Sequence, residues 1–204
     1  MNQNPLQSLQ EIKSMMQRTS KFTSISGWSG VWVGVVGLLA ALVAYFIIFN
    51  QEMQLYGLQP DNTRDFELII LAFVTLVIAC VGGFYFMIRK TNKDQEKFIT
   101  PTTKRILIRF IFVLLIGAAI CFCLYRQLSF VYMAPTTLLF YGLVLYNIAR
   151  DTVIEIKYLA YTEILLGIFS FYFIANGLLF WALGFGLAHV IFGLIMVKKY
   201  ENKP

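Results

Sequence analysis

The chain has 204 residues, of which 58% are hydrophobic and 14% charged, with a formal net charge of +6 and a mean hydropathy of +0.69. Ordinary soluble domains carry about 25% charge and at most about half apolar residues. The composition therefore excludes a water-soluble globule, and excludes disorder more firmly still.

The first 26 residues are polar and lead into an apolar run too long for the core of a cleavable signal peptide. Within this arm Leu6, Leu9, Ile12 and Met16 recur at spacings of 3, 3 and 4. The pattern predicts a short amphipathic helix on the cytoplasmic interface, held there by Lys13, Arg18 and Lys21. A plain lead-in to the first span and a partner-docking helix are the alternatives. Charge-free stretches then predict spans at 28–49, 68–88, 106–125 and 128–149. The third stretch, Phe110–Tyr125, has only 16 residues. Extending it to Ile106 brings Arg109 just inside the membrane edge, from where it can snorkel to the headgroups. The last charge-free stretch, Ile164–Val197, is 34 residues long and is interrupted by the turn signal Asn176-Gly177. Splitting it there gives spans at 157–175 and 177–197 and draws Glu163 into the membrane.

The basic residues test this parse. With both termini cytoplasmic, 15 of the 17 lysines and arginines fall on one side, and Arg64 and Arg126 alone on the other, as the positive-inside rule requires. Five spans would spoil that asymmetry. The expectation is an all-α, six-transmembrane-helix bundle over residues 1–204, a single multi-pass domain of the inner (cytoplasmic) membrane. The positive charge then reports orientation and contact with anionic headgroups at the cytoplasmic face, with no need of nucleic acid. Trp28 and Trp32 near one interface and Trp181 near the other fit aromatic belts. Cys80, Cys121 and Cys123 lie in apolar runs and read as packing residues.

Three spans carry stripes of small residues, the means by which helices approach closely in lipid. Gly27, Gly30, Gly34, Gly37, Ala41 and Ala44 recur at 3, 4, 3, 4, 3 in the first span, a packing seam or a homodimer face. Ala160, Glu163, Gly167 and Ser170 follow the same rule in the fifth, and Ala182, Gly186, His189 and Gly193 in the sixth. Each of these two stripes holds one ionisable group. Glu163 lies 13 residues before Asn176 and His189, the single histidine, 13 after it. In an antiparallel hairpin the two share a depth and can meet if the small faces pack together. A membrane-buried carboxylate costs on the order of 2.5–3.5 kcal/mol even on lenient scales, so the pair either fixes hairpin register or exchanges protons or binds a ligand. In the fourth span Pro135, with Thr136 and Thr137, predicts a kink, either an ordinary proline kink near the outer membrane edge or one that lines a candidate polar pocket with Tyr141 and Asn147. Walker, HExxH and nucleophile-elbow motifs are missing, and no metal or cofactor is expected.

Two stretches carry a resemblance. EIKSMMQRTSKFTSISGWSG (Glu11–Gly30) and the pair YGLVLYNIAR and GLLFWALGFGLAHVIFGLIM (Tyr141–Arg150, Gly177–Met196) resemble a family of small uncharacterised six-helix bacterial inner-membrane proteins. That family has an Arg/Ser-rich N-terminal arm and a GFG–His–Gly last helix, matched here by Gly184-Phe185-Gly186, His189 and Gly193. The resemblance implies a bacterial six-helix membrane protein and supplies no activity. Lys13 and Lys21 stand where the pattern leads one to expect arginine.

The leading functional expectation is a non-enzymatic scaffold or sensor subunit acting through protein or lipid contacts, with a second copy or another membrane protein as partner. The alternatives are a small transporter or proton-coupled carrier using Glu163 and His189, and a quinone- or haem-associated membrane subunit.

Overall fold

The computed structural model describes residues 25–54, 62–95, 98–127 and 130–201, with the backbone alone at 49–54 and 62–65. The expected amphipathic arm (Leu6, Leu9, Ile12, Met16) lies outside them. The described residues form helices and short turns throughout, the arrangement that satisfies every backbone N–H and C=O locally where lipid offers no partner.

The helices are α1 (Gly27–Gln54), α2 (Asn62–Lys93), α3 (Pro101–Arg126), α4 (Met133–Ile148) and α5 (Ile154–Tyr172). A last rod, residues 177–201, is called α6 and runs through Gly177–Trp181, Ala182–Ala188, His189–Met196 and Val197–Glu201. Its second and fourth pieces have wide π-type turns. Several helices outrun the apolar stretches that announce them: α2 was expected over 68–88 and α3 over 106–125. The extra turns at the chain-terminal end carry Arg89, Lys90 and Lys93 on α2, and Lys104 and Arg105 on α3. Helical hydrogen bonding does not stop where lipid gives way to water. α3 starts where Thr100 and Thr103 cap each other reciprocally, with Pro101 in the first turn, a position that needs no N–H.

Among the described residues five segments are long and apolar enough to cross a membrane: Gly27–Ile48, Phe66–Lys93, Pro101–Arg126, Phe130–Ile148 and Ile174–Glu201. The other segments keep their charges near their ends, whereas the 19-residue α5 is short enough that Glu155, Lys157 and Glu163 fall within any membrane-length stretch of it, and it lies along α4. The packing order runs α2 on α1, α1 on α6, α6 on the α4–α5 pair, and α3 on α4. The flanking helices α2 and α3 therefore turn long rows of large apolar side chains outward, among them Phe73, Val81, Ile108 and Phe112, each more than 60% exposed. Such a surface is stable against acyl chains and unstable against water.

The small residues of α1 do form a seam, and its partner is α6. A side chain at Gly193 would stand 2.5 Å from the Val31 nitrogen and 2.8 Å from the Gly27 carbonyl, so the two backbones touch. Gly186 likewise faces Leu38 of α1. The small residues of α6 are thus divided between neighbours, and Glu163 and His189 meet without the whole stripe packing on α5. The wide turns at Ala182–Ala188 rotate successive residues by less than an α-helix does, so Gly186 and Gly193 face α1 while His189 faces α4 and α5.

Pro135 is a second correction. It lies in the first turn of α4, just after the tight turn Phe130–Tyr132. The first four amides of a helix have no internal acceptor, so the proline starts this helix and does not kink it.

Polar side chains tie the bundle together at the end where residues 25 and 201 meet. Glu201 accepts from the Ser26 hydroxyl at 2.9 Å and from the Gly27 amide at 2.6 Å, a carboxylate on the positive end of α1. Lys90 donates to the Ile25 carbonyl at 2.9 Å. Asp151, in the α4–α5 turn, pairs with Arg109 at 2.7 Å and Arg105 at 3.5 Å. Arg109 thus meets a carboxylate where a lipid headgroup was expected. Glu155 takes Lys199 at 2.5 Å and the Tyr200 hydroxyl at 2.9 Å.

Candidate functional site

Three helices bring one polar side chain each to a single point inside the bundle. Glu163 comes from the middle of α5, where Ala160, Gly167 and Ser170 share its buried face. His189 comes from α6 just past the wide turns, and Tyr141 from α4. Glu163 is 0% and His189 3% exposed.

The imidazole is held at both nitrogens. Nδ1 lies 2.9 Å from the Gly184 carbonyl oxygen, five residues back along α6. A carbonyl only accepts, so Nδ1 carries the hydrogen. In the neutral ring Nε2 then accepts from the Tyr141 hydroxyl, 2.9 Å away. Trp181, Phe185 and His189 follow one another at i, i+4 down α6, the Trp181 and Phe185 rings 5.0 Å apart and Phe185 stacked at 6.1 Å on the imidazole. Tyr141 closes the group, 5.0 Å from Phe185. The ring is fixed in position, tautomer and orientation.

Glu163 is differently placed. Its Oε1 is 3.3 Å from His189 Nδ1, yet that N–H is directed at Gly184. Neither carboxyl oxygen has a hydrogen-bond partner among the described residues. The room for the carboxyl exists because residue 184 is glycine: a Cβ there would lie 2.5 Å from Glu163 Oε2 and from Leu138 Cδ2. Two turns along α5, Ser170 Oγ is also buried with no partner among the described residues. Between them Gly167 packs on the α4 backbone at Leu139, so Glu163 and Ser170 occupy separate niches.

The candidate pocket around Pro135 does not converge. Thr136 is buried, Thr137 donates to the Ala134 carbonyl one turn back at 2.9 Å, and Asn147 points outward. Only Tyr141 of that set reaches the His189 site. Asn147 and Tyr141 are six residues apart, which places them on different sides of α4. Sequence reasoning named Glu163, His189 and Tyr141 but missed Gly184 as the residue that makes them fit. The GFG run was visible, but the wide turns that aim its first glycine at α5 leave no periodic signal.

Cys80, Cys121 and Cys123 are free thiols. Among the described residues no three His, Cys, Asp or Glu side chains gather as a metal site would require. Compared with protein-family models, curated proteins and solved structures, the chain matches none of them.

Proposed function

We propose that the chain is a six-span protein of the bacterial inner membrane, with both termini in the cytoplasm, serving as a non-enzymatic scaffold or sensor subunit. α5 is the sixth span in this reading. Its pairing with α4 and the depth of Glu163 support that role, since a surface helix would not bury a carboxyl completely. The orientation is supported by the basic residues at the end where residues 25 and 201 meet, against Arg126 at the other end.

The observation that carries the functional reading is the contrast between inside and outside. His189 of α6 is held by the Tyr141 hydroxyl of α4 and by the Gly184 carbonyl in a buried seam that also encloses Glu163, as a register device requires, while α2 and α3 present broad apolar faces to their surroundings. Photo-crosslinkable residues at Phe73 and Phe112 in native membranes are expected to give discrete protein adducts of defined mass. Lipid adducts alone at both positions would sink the scaffold reading.

A second reading, a proton-coupled carrier, is favoured by one fact: the Glu163 oxygens lack hydrogen-bond partners among the described residues, which a finished structural pair would possess. Reconstitution in liposomes with an internal pH dye separates the two. A scaffold gives the same proton leak for wild type and Glu163→Gln, whereas a carrier loses flux in the variant.

A further inference from the structure

Where α1 crosses α2 near the end that holds residues 25 and 201, the Trp32 indole N–H donates to the Ile78 carbonyl at 3.1 Å. The ring lies against Gly82, which has no side chain to hold it off. Beside it is a groove of about 480 Å³ whose walls, including Val77, Val81, Tyr85 and Phe86, are apolar. That volume falls within the roughly 300–1,000 Å³ of small-molecule sites. The groove opens outward, since Val81 is 67% and Tyr85 60% exposed.

Its position along α2 gives it a direction. Ile78, Gly82, Tyr85, Arg89 and Lys93 fall within about 80° of arc on a 3.6-residue helix, so the groove runs straight into two cations. Arg89 and Lys93 are exposed and make no ion pair among the described residues. Lys90, by contrast, turns inward to the Ile25 carbonyl and pins α2 to the start of α1. Asp94, the acidic residue nearest in sequence, closes the last turn with its amide on the Lys90 carbonyl and forms no ion pair with Arg89 or Lys93 among the described residues.

We infer that this face of α2 is a binding site for one anionic phospholipid, with an acyl chain along the Trp32–Gly82 groove and the phosphate between Arg89 and Lys93. The apolar wall and the paired cations match the two halves of such a lipid in the order in which a bilayer presents them, acyl chain towards the centre and phosphate towards water. Charge decides against a zwitterionic lipid, which gains the same contact in the groove and little at the cations. The site requires α2 to cross the membrane and is independent of whether the protein is a scaffold or a carrier.

Trp32 supplies the reporter. The full chain bearing W28F and W181F, with Trp32 as its remaining tryptophan, is reconstituted in phosphatidylcholine vesicles containing brominated phosphatidylglycerol or brominated phosphatidylcholine. Half-maximal quenching is expected at about tenfold lower mole fraction for the phosphatidylglycerol. R89Q/K93Q is expected to abolish that preference and keep the maximal quenching, which shows the groove intact. Excess soluble glycerol phosphate should leave the quenching unchanged. Equal quenching by the two lipids, a preference that survives R89Q/K93Q, or release by glycerol phosphate would each overturn the site. Native mass spectrometry of the chain with its three tryptophans in place repeats the test without fluorescence substitutions. One retained phosphatidylglycerol, lost in R89Q/K93Q, is expected, and none retained refutes the proposal.

Discussion

α6 takes part in two seams that are held by opposite means. Towards α1 it offers Gly186, which receives the Leu38 side chain, and Gly193, where backbone meets backbone. Towards α4 and α5 it offers His189, and contact is made through a tyrosine hydroxyl, an imidazole and a carboxyl. In water both seams would be driven by apolar burial; in lipid that drive is absent, and helices associate by close packing or by polar contact. The first seam is intolerant of bulk, the second of a missing partner. One helix can serve both because the wide turns at Ala182–Ala188 reset its facing between them.

The sharpest way to break the comparison is Gly193→Leu. The new side chain has to enter the α1 backbone, and overpacking costs typically about 1–3 kcal/mol and more where the obstacle is main chain. The expected result is loss of the folded bundle, read as a collapsed thermal transition and aggregation on size exclusion in detergent. An unchanged transition would mean that α1 and α6 can part. The polar seam should fail more gently. His189→Ala leaves the Tyr141 hydroxyl without its partner and removes the side-chain donor on the Gly184 carbonyl, a loss of about 1–3 kcal/mol in chemical unfolding. If Tyr141→Phe alone costs as much as the histidine change, the imidazole is not the hub described above.

The smallest effect is expected at the charged end. Burial raises the Glu155 carboxyl, but hydrogen bonds from Lys199 and Tyr200 outweigh it and hold the group below its ordinary 4.5. A carboxyl lowered in the folded state stabilises the fold above its unfolded value, and the contribution disappears as pH falls through the folded one. Wild type should therefore melt slightly higher than Glu155→Gln at neutral pH, with the gap closing below about pH 4.5. A gap that stays constant into stronger acid would remove the carboxylate from the explanation.

The features legible in the sequence were those written in composition and period. Charge-free stretches marked the helices, the Asn176-Gly177 break located the last turn, and equal counting from Asn176 placed Glu163 and His189 at one depth. Other features depend on how helices rotate about their axes, which a count of spacings treats as uniform. That Gly186 and Gly193 face α1 while His189 faces α4 and α5 has no periodic signal, because a π-type turn rotates the face less per residue than the count assumes. Pro135 was read as a kink because its distance from the start of α4 turns on a tight turn at Phe130–Tyr132 with no composition signal. Asn147 was placed with Tyr141 by polarity, although six residues of helix separate their directions. Ion partners such as Asp151 for Arg109, 42 residues apart, follow from tertiary placement alone.

The contact between Glu201 and the start of α1 has a consequence for biogenesis. The Ser26 hydroxyl and Gly27 amide wait for a carboxylate 175 and 174 positions later in synthesis. The leading end of α1 is thus completed by a residue made 174 positions later, and a ribosome that stalls between the two leaves that end without its carboxylate. The bundle has a built-in mark that distinguishes a chain translated through α6 from one that was not.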